Sequence, residues 1–423
     1  MKGFKIFVFV IFLVQALVVS AYVDSWKDSL AVNVYGYVKL DAFYDTRETV
    51  NGREGHFLLW PAAPDYDADG VDKPAHGSFN MLAVQSNFGI KVMGPHVLNA
   101  KTMAKIEGDF FGQMNENINL VRLRHAYFQM KWKSTNLLIG QYWSPVFNLG
   151  AFPNTISFTT GTPVLPFSRN PQVRVTQHLG NFALIGVIQS QRDYPSFGPN
   201  PVNPMRSIPS SEFLKNSGFP EFHGKITYDY SADELFFKAG IGAGYKQIVP
   251  FTVTPTGYAT DGKVPGISAT AYVNFGFSGW NLKGGVVYGS NATDVMSLGG
   301  FAVSHIKDSV RAFYDYTCLS SYSVWMDMSQ QLGGWNIGVF VGNVQNLGAE
   351  APIVGNIWGL GNNIARIYRI APRVCWQAKN FKLAFELEHT GAAFGSPNEN
   401  GIPQNLESVS NTRFLLGAYY FFN

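Results

Sequence analysis

Arg413-Phe414-Leu415-Leu416-Gly417-Ala418-Tyr419-Tyr420-Phe421-Phe422-Asn423 closes the chain. Termini of soluble domains are usually polar and frayed, yet this one carries four aromatic residues in succession. Phe414, Leu416, Ala418, Tyr420 and Phe422 alternate, so in a β-strand they share one face. A face that apolar needs an apolar neighbour, either a protein core or lipid.

The other end of the chain favours lipid. Lys2 and Lys5 precede a run from Ile6 to Val19 that is apolar except for Gln15, and Val19-Ser20-Ala21 supplies small residues before Tyr22. That layout predicts a secretory signal peptide over residues 1–21. The run is short for a retained helical span, which needs about 20 residues. Composition points the same way. Aromatics make up 15% of the 423 residues, glycine occurs 43 times and charged residues are only 14%. Soluble domains carry about 25% charged residues. The rest of the chain has no apolar run long enough for a membrane helix. Few charges with many Tyr, Phe and Gly suit a barrel with lipid outside and water inside. Removing Lys2 and Lys5 would leave a nearly neutral chain, which gives no reason to expect nucleic-acid binding. The terminal pattern also resembles the C-terminal strand of bacterial outer-membrane barrels. Asn423 departs from the usual last aromatic, and Leu415 stands where a polar residue is common.

Alternation recurs along the chain, as membrane strands of about 9–11 residues require. Residues 381–390 set Phe381, Leu383, Phe385 and Leu387 against Lys382, Glu386, Glu388 and Thr390. Residues 119–129 put Val121, Leu123 and Tyr127 outward, with Arg122 and Arg124 inward; by the same parity His125 points out. Residues 171–179 put Val173 and Val175 outward, with Gln172, Arg174, Thr176 and His178 inward. Residues 368–377 set Tyr368, Ile370, Val374 and Trp376 against Arg369, Arg373 and Gln377. Residues 235–246 set Leu235, Phe237, Ile241 and Tyr245 against Lys238 and Lys246.

Tight turns are read at 94–95, 134–135, 180–181, 231–234, 278–279, 333–334 and 379–380. Long connections are read at 46–77, 111–117, 145–169, 191–220, 247–265, 290–319, 346–362 and 391–409. Long loops on one side and short turns on the other mark an outer-membrane barrel. The expected fold is therefore all-β, a transmembrane antiparallel β-barrel of 16 strands, with 18 as the alternative. Residues 309–318 are strand-like but are assigned to an extracellular loop, because an odd count would separate the termini. The expected organisation is a cleaved signal peptide (1–21), a short periplasmic segment (22–32) and the barrel (33–423). Cys318 and Cys375 fall about a strand length apart, beyond the roughly 7 Å a disulfide spans.

Three blocks resemble the DcaP-like outer-membrane porins: Tyr35-Gly-Tyr-Val-Lys-Leu-Asp-Ala-Phe-Tyr-Asp-Thr46, Arg122-Leu-Arg-His-Ala-Tyr-Phe128 with Leu138-Ile-Gly-Gln-Tyr-Trp-Ser144, and Arg169-Asn-Pro-Gln-Val-Arg174. The match runs over about 33–180 and is looser afterwards, through Tyr322-Ser-Val-Trp-Met-Asp327 and the last strand. The resemblance implies a 16-stranded homotrimer in the bacterial outer membrane, in contact with membrane lipid and lipopolysaccharide, that passes small anionic solutes such as carboxylates. Some relatives carry a coiled-coil extension before the barrel; residues 22–32 show no heptads.

Within that frame, residues 145–168 are the candidate constriction loop, on the strength of Gly161, Pro163, Pro166 and the apolar Phe147, Phe152, Phe158 and Phe167. An outer loop or a subunit contact is the alternative. Arg122, Arg124, Arg169 and Arg174, on the fourth and sixth strands, are the candidate pore-lining and anion-binding residues. Arg366, Arg369 and Arg373, placed on the fifteenth strand, join them. Arginine keeps its charge and grips carboxylates with two donors, and rings of basic side chains select anions. The competing reading pairs these arginines with Glu107, Asp109, Glu386 and Glu388. Asp65, Asp67 and Asp69 imitate half of a calcium loop, although His76 holds the position of the closing glutamate; a solvated acidic loop is the simpler reading. The eight histidines show no metal spacing and no nucleophile elbow occurs, so no enzyme and no cofactor are expected. A plugged structural or adhesive barrel, binding a partner through loops 191–220 and 290–319, is the second functional reading.

Overall fold

The computed structural model describes residues 30–112 and 114–422. The expected signal peptide and most of the segment 22–32 lie outside the described residues.

Among the described residues, sixteen antiparallel strands form a wall that closes on itself, and three shorter strands (Ser78–Leu82, Gly299–Asp308 and Ile357–Leu360) pair with it. The sixteen are β1 (Ala31–Asp45), β2 (Asn87–Met93), β3 (Lys101–Asp109), β4 (Arg122–Lys131), β5 (Thr135–Trp143), β6 (Arg169–Leu179), β7 (Phe182–Gln189) and β8 (Glu221–Ala232). There follow β9 (Leu235–Ile248), β10 (Val264–Phe277), β11 (Trp280–Ser290), β12 (Phe313–Leu332), β13 (Trp335–Ala349), β14 (Ile364–Ala378), β15 (Phe381–Pro397) and β16 (Pro403–Phe422). Each pairs with its neighbour in sequence, and β16 returns to β1 in a register from Gly36↔Phe422 to Asp45↔Arg413. The terminal strand therefore closes the barrel. Phe414, Leu416 and Tyr420 face outward and are exposed, whereas Arg413 and Leu415 are buried inside. A closed barrel leaves no edge and pairs every backbone group, which lipid demands.

The long connections L1 to L8 follow β1, β3, β5, β7, β9, β11, β13 and β15, and the tight turns lie at the other end. Residues 299–308 form a hairpin with 313–319, the upper end of β12, and also pair with Ile357–Leu360 of L7. The strand-like stretch 309–318 is thus the tip of L6 and the start of β12, outside the membrane crossing. L8 is shorter than expected, because β15 and β16 extend until only residues 398–402 connect them. The wall is uneven in height: β2 has 7 residues and β7 has 8, while β12 and β16 have 20 each.

Alternation holds on most strands but slips on β4. Glu107 pairs with His125, yet the next residue, Gly108, pairs with Leu123. Arg124 is therefore the extra residue of a β-bulge, and a bulge shifts side-chain parity by one. Arg122 is inside and Leu123 outside, as expected. Beyond the bulge His125 is buried inside the barrel and Phe128, not Tyr127, is exposed outside. The expected outward placement of His125 and Tyr127 is corrected by that one inserted residue. Cys318 and Cys375 are both free.

Candidate solute pathway

The inward wall carries lysines, arginines and carboxylates that would each be costly to bury without partners. Loop L3, residues 144–168, supplies many of those partners. Its base is pinched where Ser144 N–H donates to Ser168 O (2.8 Å). From there it runs along the wall. Lys225 of β8 donates to Pro145 O (2.9 Å) and Asn148 Oδ1 (2.7 Å). Asn148 donates to Thr270 of β10 (2.7 Å), and Asn274 to Gly150 O (2.8 Å). Lys283 of β11 reaches Phe152 O (2.6 Å) and Asn154 Oδ1 (2.9 Å).

The loop then crosses to the opposite wall. Both oxygens of Glu386 on β15 accept N–H groups, from Ile156 (2.8 Å) and Ser157 (3.0 Å). Lys39 of β1 donates to Ile156 O (2.9 Å). Arg369 of β14 donates to Thr162 O (2.6 Å) and also to Leu59 O of L1 (3.1 Å). At Gly161 (φ +91°) a side chain would collide with Phe340 of β13, and one at Gly342 would collide with Val164. Both glycines let the loop lie flat on the wall.

Apolar side chains complete the packing. Phe147, Phe158, Val164, Leu165 and Phe167 of L3 join Phe57 and Trp60 of L1, Phe111 of L2, Tyr194 of L4 and Leu298 of L6 in one buried cluster. The Phe111 and Phe158 rings lie 3.9 Å apart, and Trp143 stacks on Phe147 at 4.6 Å. Burial of each large apolar side chain contributes about 1.5–3 kcal/mol, enough to fold these loops into the barrel rather than leave them in water. Leu149 and Phe152 stay exposed on the open side of L3. His56 of L1 is buried with Nε2 2.8 Å from Asp41 Oδ2, and its ring lies 5.1 Å from Phe111 and 5.5 Å from Phe158. Burial holds the imidazole below its ordinary pKa, against the opposing pull of Asp41.

The candidate arginines other than Arg366 project inward, and most meet carboxylates. Arg122 binds Asp109 through Nε (3.1 Å) and Nη2 (2.8 Å). Arg124 joins Glu107 and Asp109, each at 2.9 Å. Arg169 pairs with Asp193 of L4 at 3.0 Å and lies over the Trp143 ring. Burial pushes Asp193 up, but the guanidiniums of Arg169 and Arg122 outweigh it and hold the carboxyl below its ordinary range. Arg373 grips Asp327 with two hydrogen bonds, of 2.8 and 3.0 Å. Arg369 lies 3.4 Å from Glu388. Both belong to β14, so the expected fifteenth strand is corrected to the fourteenth, and Arg366 on that strand is exposed with outward parity.

Arg174 differs. It donates to Gln172 Oε1 (3.0 Å) and Trp143 O (2.7 Å) and lies 4.9 Å over the Tyr142 ring. Among the described residues no carboxylate lies within ion-pair distance of it. Tyr35, Tyr127 and Tyr142 share this part of the wall, and Tyr35 donates to Glu107 at 2.8 Å.

The acidic residues of L1 do not converge. Asp65 pairs with Lys73 at 2.7 Å, and Asp67 Oδ1 accepts N–H groups of its own turn from Asp69 and Val71. Among the described residues no three His, Cys, Asp or Glu side chains are grouped to hold a metal. The sequence reading passed over Lys39, Lys225 and Lys283, the tethers of L3. Their signal was present: each is a lysine at an inward position of its strand, although Lys39 shares that face with Asp41 and Lys225 with Glu221 and His223.

The model of the DcaP outer membrane protein family matches residues 20–185. No curated protein matches the sequence. Among solved structures, the outer membrane channel DcaP of Acinetobacter baumannii superposes with a TM-score of 0.68 at 18% identity, over 94% of this chain and 99% of that one. The anion-selective porin of Comamonas acidovorans has a TM-score of 0.54 at 10% identity, over 93% and 100%. The trimer form of OmpT of Vibrio cholerae gives the same figures. The chain has the fold of these channels and is an outer-membrane β-barrel.

Proposed function

We propose that this outer-membrane porin passes small hydrophilic solutes by diffusion, with a preference for small anions such as carboxylates. The observation that carries the anion preference is Arg174, a lumen-facing guanidinium without a carboxylate partner among the described residues, held over Tyr142. The other candidate arginines, Arg122, Arg124, Arg169, Arg369 and Arg373, each have a carboxylate beside them and set the shape of the lining. L3, stretched from the β8 wall to the β15 wall, is the constriction. Likeness in fold to the anion-selective porin of Comamonas acidovorans and to trimeric OmpT supports the anion preference and a homotrimer. The outward apolar face meets lipid, and the exposed loops meet lipopolysaccharide. Transport of this kind needs no cofactor.

The test is conduction by the folded protein in a planar bilayer under a potassium chloride gradient. Stepwise currents with a reversal potential favouring chloride are expected, and Arg174→Glu should shift that potential toward potassium. Stepwise currents that favour potassium in the unaltered protein would overturn the anion preference. The buried apolar cluster that joins L1, L2, L3, L4 and L6 favours a second reading, a plugged barrel that binds a partner through its loops. A silent bilayer with correctly folded protein would select it.

A further inference from the structure

Loop L4 turns back into the barrel at Asp193 and Tyr194. Asp193 Oδ2 accepts from Arg169 Nε at 3.0 Å, and Asp193 Oδ1 lies 3.8 Å from Arg122 Nη1, beyond hydrogen-bond length. The remaining donors of Arg122 go to Asp109. Tyr194 is wedged against Phe167 at 5.5 Å and Phe57 at 6.1 Å. This leaves three buried donor groups of one cluster without partners among the described residues: Arg122 Nη1, Arg169 Nη1 and the Tyr194 hydroxyl. The three residues are 6%, 1% and 8% exposed.

Charge is out of balance at the same place. Arg53 and Arg122 lie over the same Phe111 ring, at 4.9 and 5.1 Å. With Arg124 and Arg169 they bring four guanidiniums to three carboxylates, Glu107, Asp109 and Asp193. Glu107 is further engaged by Lys105 at 2.8 Å. A buried donor left unpaired costs about 1–3 kcal/mol, and more when it is charged. An excess buried charge is costlier still. A water molecule accepts two hydrogen bonds, whereas a monatomic anion accepts three and offsets part of the excess charge.

We propose that a small inorganic anion of the chloride class occupies this cluster, accepting from Arg122 Nη1, Arg169 Nη1 and the Tyr194 hydroxyl. Phe57, Phe158 and Phe167 wall it off, and Arg174 stands apart from it. The ion is therefore a fixed structural counter-ion that ties L4 to β4 and β6, not a solute in transit. The inference is independent of conduction, and a silent bilayer would leave it standing.

The test is diffraction from crystals of the whole protein in which bromide replaces chloride. An anomalous peak at hydrogen-bond distance from the three donor atoms is expected, and Tyr194→Phe should lower its height while Arg174→Gln leaves it unchanged. A water or empty density at that point, or the three donors paired with protein groups, would overturn the proposal. Thermal unfolding supplies a second measurement that needs no variant. A ligand that binds only the folded state raises the melting temperature, so the protein should melt higher in chloride than in gluconate at equal ionic strength. Equal melting temperatures would count against the site.

Discussion

His56 shows what one buried titratable side chain does in this lumen. Its ring packs among Phe43, Phe111 and Phe158, and Asp41 holds Nε2. Burial lowers its pKa, so the folded loop binds a proton less readily than the unfolded loop. The stability this contributes is complete above the ordinary histidine pKa of about 6.5 and is lost as pH falls below it. We predict that hydrogen exchange in residues 53–60 accelerates as pH drops from 7.5 to 5.5, after correction for intrinsic rates. In His56→Phe the same interval should show no acceleration; if it persists there, another group is responsible. Single residues also mark where reading the sequence stops. Arg122, Arg174, Arg369 and Arg373 could be oriented from period-two alternation alone. His125 and Tyr127 could not, because one inserted residue at Arg124 reverses the parity of everything after it and nothing in the local pattern reports the insertion. The partner of Arg169 was equally hidden, since Asp193 lies in a loop that returns only in three dimensions.

At the scale of elements, L3 is held in two halves. Residues 145–154 are tied to β8, β10 and β11, and residues 156–162 to β15, β1 and β14. Glu386 accepts two backbone N–H groups, and each hydrogen bond contributes about 0.5–1.5 kcal/mol. Glu386→Gln should therefore raise hydrogen exchange in residues 156–162 by roughly tenfold or more, corresponding to about 1.4 kcal/mol, while residues 145–152 keep their protection. A uniform rise along the loop would mean that L3 docks as one unit. Strand and loop positions were legible because alternation and turn chemistry are local. The long connections and tight turns fall near where composition puts them, except L8, which shrinks to residues 398–402, and L6, whose last expected residues belong to β12. The tethers were not legible, because their partners are separated by up to 230 positions, as Ile156 and Glu386 are, and side-chain-to-carbonyl contacts leave no periodic trace.

The whole molecule is a barrel with one tall wall and one low wall, and the L6 hairpin stands at the top of the tall side. Arg311 and Lys307 near its tip have side chains 57% and 56% exposed, while Arg53 and Arg169 are buried. Trypsin added to intact cells should cut after Lys307 or Arg311 and spare Arg53 and Arg169, as read by mass spectrometry of the released peptides. Cleavage after Arg169 would place that residue outside the folded lumen. The tethering of L3 has a consequence at this scale as well. Lys225 and Lys283 are muted for as long as the loop's carbonyls and amides cap them. If the loop lifted, the passage would widen and these two lysines, without a carboxylate partner among the described residues, would be bared on its wall in the same movement. Aperture and ion preference are then a single variable in this molecule: its widest state is also its most anion-seeking, and a recording in which larger currents carried weaker chloride preference would contradict the geometry.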